Sequence, residues 1–330
     1  MPDADEEAAW LAAVPARFRR PLELAARGGL PPNVALMHVL MEAEDEAQAR
    51  TVLREAAQAA GEGDAADAVR AVLDLSDAHP QAFRTVKAVL ARVVHDAAPQ
   101  GADGAVRALA GAFDAAARAA PEASVALYTL GSPGLMRAAT QEIVAALRRW
   151  GVVGPGRAML EIGCGIGRFE EALAPALALA VGIDVSWSML QAARERCAAL
   201  ADAAFVQTSG LDLAPFRDRS FDLVLAVDSF PYLVQAGPGL LARHVAEAAR
   251  VLRAGGDLVI LNLSYRGDLD RDRRDLAALA AGAFEVRRNG VQGEFRLWDG
   301  AAFHLVRRPP PQDRQGAWSG VSAEAARACG

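Results

Sequence analysis

The stretch MLEIGCGIGRFEEALA, residues 159–174, decides the fold. A short apolar run of strand length ends in three alternate glycines, Gly163, Gly165 and Gly167, and a helical pattern follows. Glycines at this spacing let backbone come close to a ligand at the carboxyl end of a strand. A dinucleotide fingerprint would place its third glycine at position 168, where Arg168 stands, so a pyrophosphate seat is disfavoured. Glu161 lies at the strand tip, two residues before the first glycine. A carboxylate there repels phosphate and suits an ammonium group. The second apolar run ends in Asp184, 21 residues after Gly163. That is the distance at which an acidic residue reaches a ribose diol. The pair reads as the seat of a nucleoside with a cationic arm and no phosphate.

Outward from this loop, apolar runs of strand length alternate with helical patterns: RAMLEIG, ALAVGIDV, AAFVQT, FDLVLAVD and DLVILNLS, most followed by a helix. Such alternation predicts a mostly parallel sheet covered by helices on both faces. FEVRRN (284–289) and AAFHLVR (301–307) add two late strands with no helix-length pattern between them, so that pair is expected to be antiparallel. Upstream, NVALMHVL, EDEAQARTVLREAAQAA and DAADAVRAVLDL carry apolar residues at helical spacing. TQEIVAALRRWG (140–151) reads as a helix closed by glycine. The expected organisation is a helical N-terminal domain over 1–98, a linker and connecting helix over 99–123, an α/β domain over 124–308, and a proline-bearing disordered tail over 309–330.

The 330 residues are 52% hydrophobic, enough for a large buried core. The formal net charge of −6 argues against nucleic acid, which wants a basic face. MPDADEEAAW has no apolar signal core, and no run approaches 20 apolar residues, so a soluble cytoplasmic protein is expected. Cys164, Cys197 and Cys329 lie far apart, with no disulfide or zinc spacing. His38, His79 and His95 have no ligand-spaced partners, so no metal site is expected.

With these residues in view, the stretch from about 124 to 308 resembles the class I S-adenosylmethionine-dependent methyltransferases. LEIGCGIG is similar to their first motif and VGIDVSWSML to their second. APFRDRSFDLVLAVDSFPYL resembles the loop and fourth strand, and ARVLRAGGDLVILNLS the helix and fifth strand. The resemblance implies a Rossmann-like seven-stranded sheet and S-adenosylmethionine as cofactor. It implies backbone at Gly163 and Gly165 beside the methionine part, Glu161 near its amino group, and Asp184 on both ribose hydroxyls. Met189 would pack on adenine or serve as ordinary helix core. Segments before the first strand commonly fold over the cofactor in this family, which makes Tyr128 a further contact; a domain-joining hydrophobic turn is the alternative. The family often carries an acid before the adenine-contacting position, but QTSGLDLAPF has Gly210 there. Adenine recognition then falls to backbone at Gly210 and Leu211, or to Asp212.

Methyl transfer is an in-line displacement with a neutral leaving group, so alignment and water exclusion dominate and no universal catalytic residue exists. Asp228 closes the fourth strand and either binds cofactor, orients an acceptor or caps the turn. Tyr232 and Tyr265 either line an acceptor pocket or pack as half-buried aromatics. His304 reads as a satisfied sheet histidine, and His244 as surface or packing. The expected function is methyl transfer to a small-molecule acceptor. The rivals are an RNA or protein methyltransferase and a cofactor-binding module without turnover. The N-terminal helices could be an acceptor lid, a homodimer surface or a stabilising appendage.

Overall fold

The computed structural model describes residues 9–92 and 101–309. The expected tail beyond residue 309, the start of the linker, His95 and Cys329 lie outside the described residues. Five helices come first: α1 (Ala16–Ala26), α2 (Pro32–Glu42), α3 (Glu46–Ala59), α4 (Asp64–Ala78) and α5 (Ala82–Leu90). Asp45 begins α3 by accepting from the Gln48 amide at 2.7 Å, and a proline at the first position starts α2. Next come α6 (Gly101–Ala119), α7 (Pro121–Val125), a 3-10 turn at Leu127–Thr129 and α8 (Pro133–Arg149). Helix α8 starts a full two turns before the apolar pattern suggests, because Ser132 caps it and Pro133 fits its first turn.

The α/β part runs β1 (Ala158–Ile162), α9 (Arg168–Leu173), β2 (Leu179–Asp184), α10 (Trp187–Arg196), β3 (Ala203–Gln207), β4 (Phe221–Val227) and α11 (Phe230–Gln235). It continues with α12 (Pro238–Val251), β5 (Leu252–Leu261), α13 (Leu269–Ala280), β6 (Phe284–Val291) and β7 (Ala302–Arg307). The sheet order is β3-β2-β1-β4-β5-β7-β6. Strands β1 to β5 pair in parallel; β7 is antiparallel to both β5 and β6, as the missing helix requires. Helix α11 is a short helix formed by FPYLVQ just after β4. The order reverses between β1 and β4, and the carboxyl ends of β1, β2 and β4 open there into one crevice.

Strand alternation distributes the core. Leu223, Leu225 and Val227 of β4 join one apolar cluster, and Val224 and Ala226 join the opposite one. The first cluster does not stop at the sheet. It runs through Ile143 of α8 and Tyr128 to Leu36 of α2, Phe18 of α1 and Trp10. The N-terminal helices therefore share a hydrophobic core with one sheet face. Asn33 fixes the junction: buried in the first turn of α2, it donates its amide to the carbonyls of Tyr128 (3.0 Å) and Leu297 (2.9 Å). Helix α6 is tied down as firmly. Asp114 accepts from the Ser186 hydroxyl (2.6 Å) and the Ser188 amide (2.8 Å) at the start of α10. Among the described residues no helix is long and apolar enough to cross a membrane.

Candidate functional site

A cavity of about 1240 Å³ lies over the tips of β1, β2 and β4 and extends beneath α1 and α2. Ligand pockets typically occupy roughly 300–1,000 Å³, so this one has room for a cofactor and a second molecule.

The glycine loop forms its floor. The amides of Gly163 and Cys164 both donate to the Ile183 carbonyl, at 2.8 and 3.0 Å, tying the loop to β2. Gly163 has φ +74°, and a Cβ there would stand 2.5 Å from the Cβ of Ser229, whose hydroxyl holds the Ile162 carbonyl at 2.6 Å. Only glycine fits between the β1 and β4 tips. Asp184 organises the far side. One carboxylate oxygen accepts from the Gly165 amide (2.9 Å) and the other from the Ser186 amide (2.8 Å). Each oxygen keeps a lone pair that can accept again. Burial pushes the Asp184 carboxyl above its ordinary range.

Glu161 is buried in the cavity wall, facing Glu170 of α9, which is fully enclosed. One Glu161 oxygen and both Glu170 oxygens have no hydrogen-bond donor among the described residues. Burial, and then each other's charge, raises Glu161 well above the usual carboxylate range, and burial pushes Glu170 up to about 7. Burial disfavours ionising both of these enclosed carboxyls at once.

Asp228 stands at the β4 tip with φ +55°. It accepts from the Asn262 amide (3.2 Å) and the Trp298 indole (3.1 Å). Burial pushes it up to about 6, against the pull of Arg168. Arg168 is the residue that sequence reading passes over, noticed only as a missing glycine. It is buried, donates to the Tyr128 hydroxyl at 3.2 Å, and stacks on Phe169 with 4.5 Å to the ring centroid. Its charge also bears on Glu161 and Asp228, so one guanidinium balances the acids of two strand tips. A basic residue entering a helix straight after a glycine loop was its one sequence signal.

Tyr232 packs edge-on against Phe113 of α6 (5.1 Å) and Tyr265 (6.0 Å), forming an aromatic corner of the cavity. Tyr128 and Met189 also line the cavity; Met189 is buried, and its sulfur accepts from the Ser124 hydroxyl at 3.8 Å. Gly210 lines it with φ +69°, and a Cβ there would meet Val185 at 2.5 Å and Val106 of α6 at 2.9 Å. The space of the missing acid is thus filled by α6. Leu211 is not brought to the cavity. Its half-buried side chain packs against the core, and its amide donates to the Ser209 hydroxyl at 3.3 Å. Asp212 lines the wall and accepts from the Ala214 amide (3.1 Å). His304 is paired with Asp257 at 2.8 Å, and buried His244 hydrogen-bonds the Leu240 carbonyl at 3.0 Å; neither has a catalytic setting, although His244 touches the cavity edge.

The arrangement fits S-adenosylmethionine. The donorless oxygen of Glu161 can take its ammonium, the side-chain-free Gly163 admits its backbone, and the spare lone pairs of Asp184 can take its diol.

Comparison with known proteins agrees with this geometry. Residues 160–260 match the family described as methyltransferase domain. This part of the chain is similar to a methyltransferase domain. A demethylmenaquinone methyltransferase of Tropheryma whipplei is 36% identical over 121 residues, covering 37% of this chain and 47% of that protein. The methyltransferase GfsG of Streptomyces halstedii is 33% identical over 121 residues, covering 36% and 42%. The chain spans about half the length of these curated relatives. Among solved structures, phosphoethanolamine N-methyltransferase 1 of Haemonchus contortus, in complex with phosphoethanolamine and S-adenosylhomocysteine, aligns with TM-score 0.50 and 16% identity over 66% of this chain and 52% of that one. That likeness supports the fold of the methyltransferase domain and nothing finer.

Proposed function

We propose that this protein transfers the methyl group of S-adenosylmethionine to a small-molecule acceptor. The carrying observation is one cavity, large enough for two ligands, with Glu161, Asp184 and Asp228 at three neighbouring strand tips. Bound there, S-adenosylmethionine supplies a methyl on cationic sulfur, whose departure needs no acid. Asp184 holds the ribose diol and Glu161 the ammonium, with Gly163 and Gly165 as backbone contacts. Met189 and Gly210 flank the adenine. Tyr128, pinned by Arg168 and Asn33, closes over the cofactor and excludes water, which is what a displacement of this kind most needs. Asp228 and the Tyr232 corner face the acceptor. The names of the curated relatives, which include quinone and sterol methyltransferases, support a small acceptor with an apolar body. The net charge of −6 opposes an RNA substrate.

The test is release of S-adenosylhomocysteine when the protein meets S-adenosylmethionine and a small-molecule extract. The expected result is extract-dependent release that Asp184→Ala lowers at subsaturating S-adenosylmethionine. Binding of S-adenosylhomocysteine with no release from any extract would instead support a binding module.

A further inference from the structure

Two neighbouring strand tips over the cavity end in residues with left-handed backbone. Asp228 after β4 has φ +55°, and Asn262 after β5 has φ +75°, a region that side-chain-bearing residues seldom occupy and that gathers at working sites. The two side chains meet: the Asn262 amide donates to one Asp228 carboxylate oxygen at 3.2 Å. The other oxygen accepts from the Trp298 indole at 3.1 Å. Trp298 is itself held by the loop between β6 and β7. Glu142 of α8 accepts from the Arg296 and Leu297 amides at 2.8 and 3.0 Å, and Asn33 of α2 donates to the Leu297 carbonyl at 2.9 Å. A Cβ on Gly300 would stand 2.0 Å from the Trp298 ring, so the indole lies against bare backbone. Both donors to Asp228 are neutral, and each of its oxygens keeps a lone pair. Other acids lining the cavity are otherwise engaged: Asp272 pairs with Arg266, Asp268 caps α13, and Asp212 accepts from its own turn. Four residues after Asp228 and three after Asn262 stand Tyr232 and Tyr265, with ring centroids 6.0 Å apart.

We propose that Asp228, aimed by Asn262 and Trp298, is the catalytic base that takes the proton of a phenolic hydroxyl whose ring packs in the Tyr232–Tyr265 corner. This rests on the methyl-transfer reading above. Aromatic rings pack favourably edge to face, and this corner already stacks Phe113 that way on Tyr232. A neutral hydroxyl is a weak nucleophile and gains from a base, whereas an unprotonated amine does not need one. A cationic acceptor would be repelled by the sulfonium, and the charge of Asp228 is already opposed by Arg168. The acceptor O–H gives its proton to a free lone pair of the Asp228 carboxylate. Its oxygen bonds to the methyl carbon, and the carbon–sulfur pair stays on sulfur. The proton then leaves the carboxyl for water at the cavity mouth. Burial raises the Asp228 carboxyl to about 6, while Arg168, Asn262 and Trp298 pull it down and Asp299 adds to the rise. Asp228 is therefore ionised at neutral pH and still able to take a proton. Tyr128, Tyr232 and Tyr265, the tyrosines around it, keep their protons there.

The test begins with the full chain, nitrogen-labelled at tryptophan and saturated with S-adenosylhomocysteine. NMR follows the indole N–H signals from pH 5 to pH 8. The Trp298 signal, identified by its loss in Trp298→Phe, should titrate with a midpoint of about 6 and should not titrate in Asp228→Asn. S-adenosylhomocysteine affinity should be unchanged in both variants, which also reports that they fold. Turnover of the extract acceptor should fall roughly 10²–10⁴-fold in Asp228→Asn. In Trp298→Phe the acid limb of the rate profile should move to higher pH, because the carboxylate loses a donor that favours its ionised form. The methylated product should be an aryl methyl ether. A Trp298 signal indifferent to pH, an unmoved acid limb in Trp298→Phe, or a product methylated on nitrogen or carbon would each overturn the assignment. Failure of wild type to bind S-adenosylhomocysteine would show first and would defeat the underlying reading instead.

Discussion

Asp184→Ala is expected to weaken S-adenosylhomocysteine binding by about 1.5–3 kcal/mol, roughly a 10- to 150-fold rise in Kd. The aspartate has two duties. Its spare lone pairs face the cavity, and its oxygens also hold the Gly165 and Ser186 amides at 2.9 and 2.8 Å. Alanine removes the ribose acceptor and frees the loop that must lie beside the methionine arm. Calorimetry on the folded variant measures the loss. An unchanged Kd would mean that the diol is held elsewhere.

Glu170→Gln should stabilise the ligand-free protein, but only above neutral pH. Glu170 is fully enclosed, and burial lifts its carboxyl from 4.5 to about 7. The folded chain therefore binds this proton more tightly than the unfolded chain. Its contribution to stability is complete below pH 4.5 and is lost as pH rises through 7. At pH 8 the native fold must bury an ionised carboxylate opposite Glu161. A neutral amide relieves this by about 1–3 kcal/mol and can donate to Glu161. Urea unfolding of both proteins at pH 5 and pH 8 gives the answer. Equal stabilities at pH 8 would show that Glu170 is not held against its ionisation.

The parts of this site that were legible in the sequence are those fixed by strand ends. Glu161 and Asp184 sit at strand tips because an apolar run must stop where the sheet stops, and a parallel sheet points those stops at one crevice. The antiparallel β6–β7 pair was legible because no helix-length pattern separates the two runs. Arg168 was not legible, because its meaning depends on Tyr128, forty residues away, being folded over the loop. Gly210 looked like a missing acid until Val106 of α6 was found in the space an acid would need. A separate N-terminal domain was the natural reading of a change in period, yet periodicity cannot show that Phe18, Leu36 and Leu225 belong to one apolar cluster.

The central claim is that the loop at Gly163 and the acids at Glu161 and Asp184 seat a nucleoside with a cationic arm and no phosphate. Titration of the full chain with S-adenosylhomocysteine and, separately, with NAD tests it most directly. The account predicts one-to-one binding of S-adenosylhomocysteine and no heat with NAD. Binding of NAD without S-adenosylhomocysteine would contradict it.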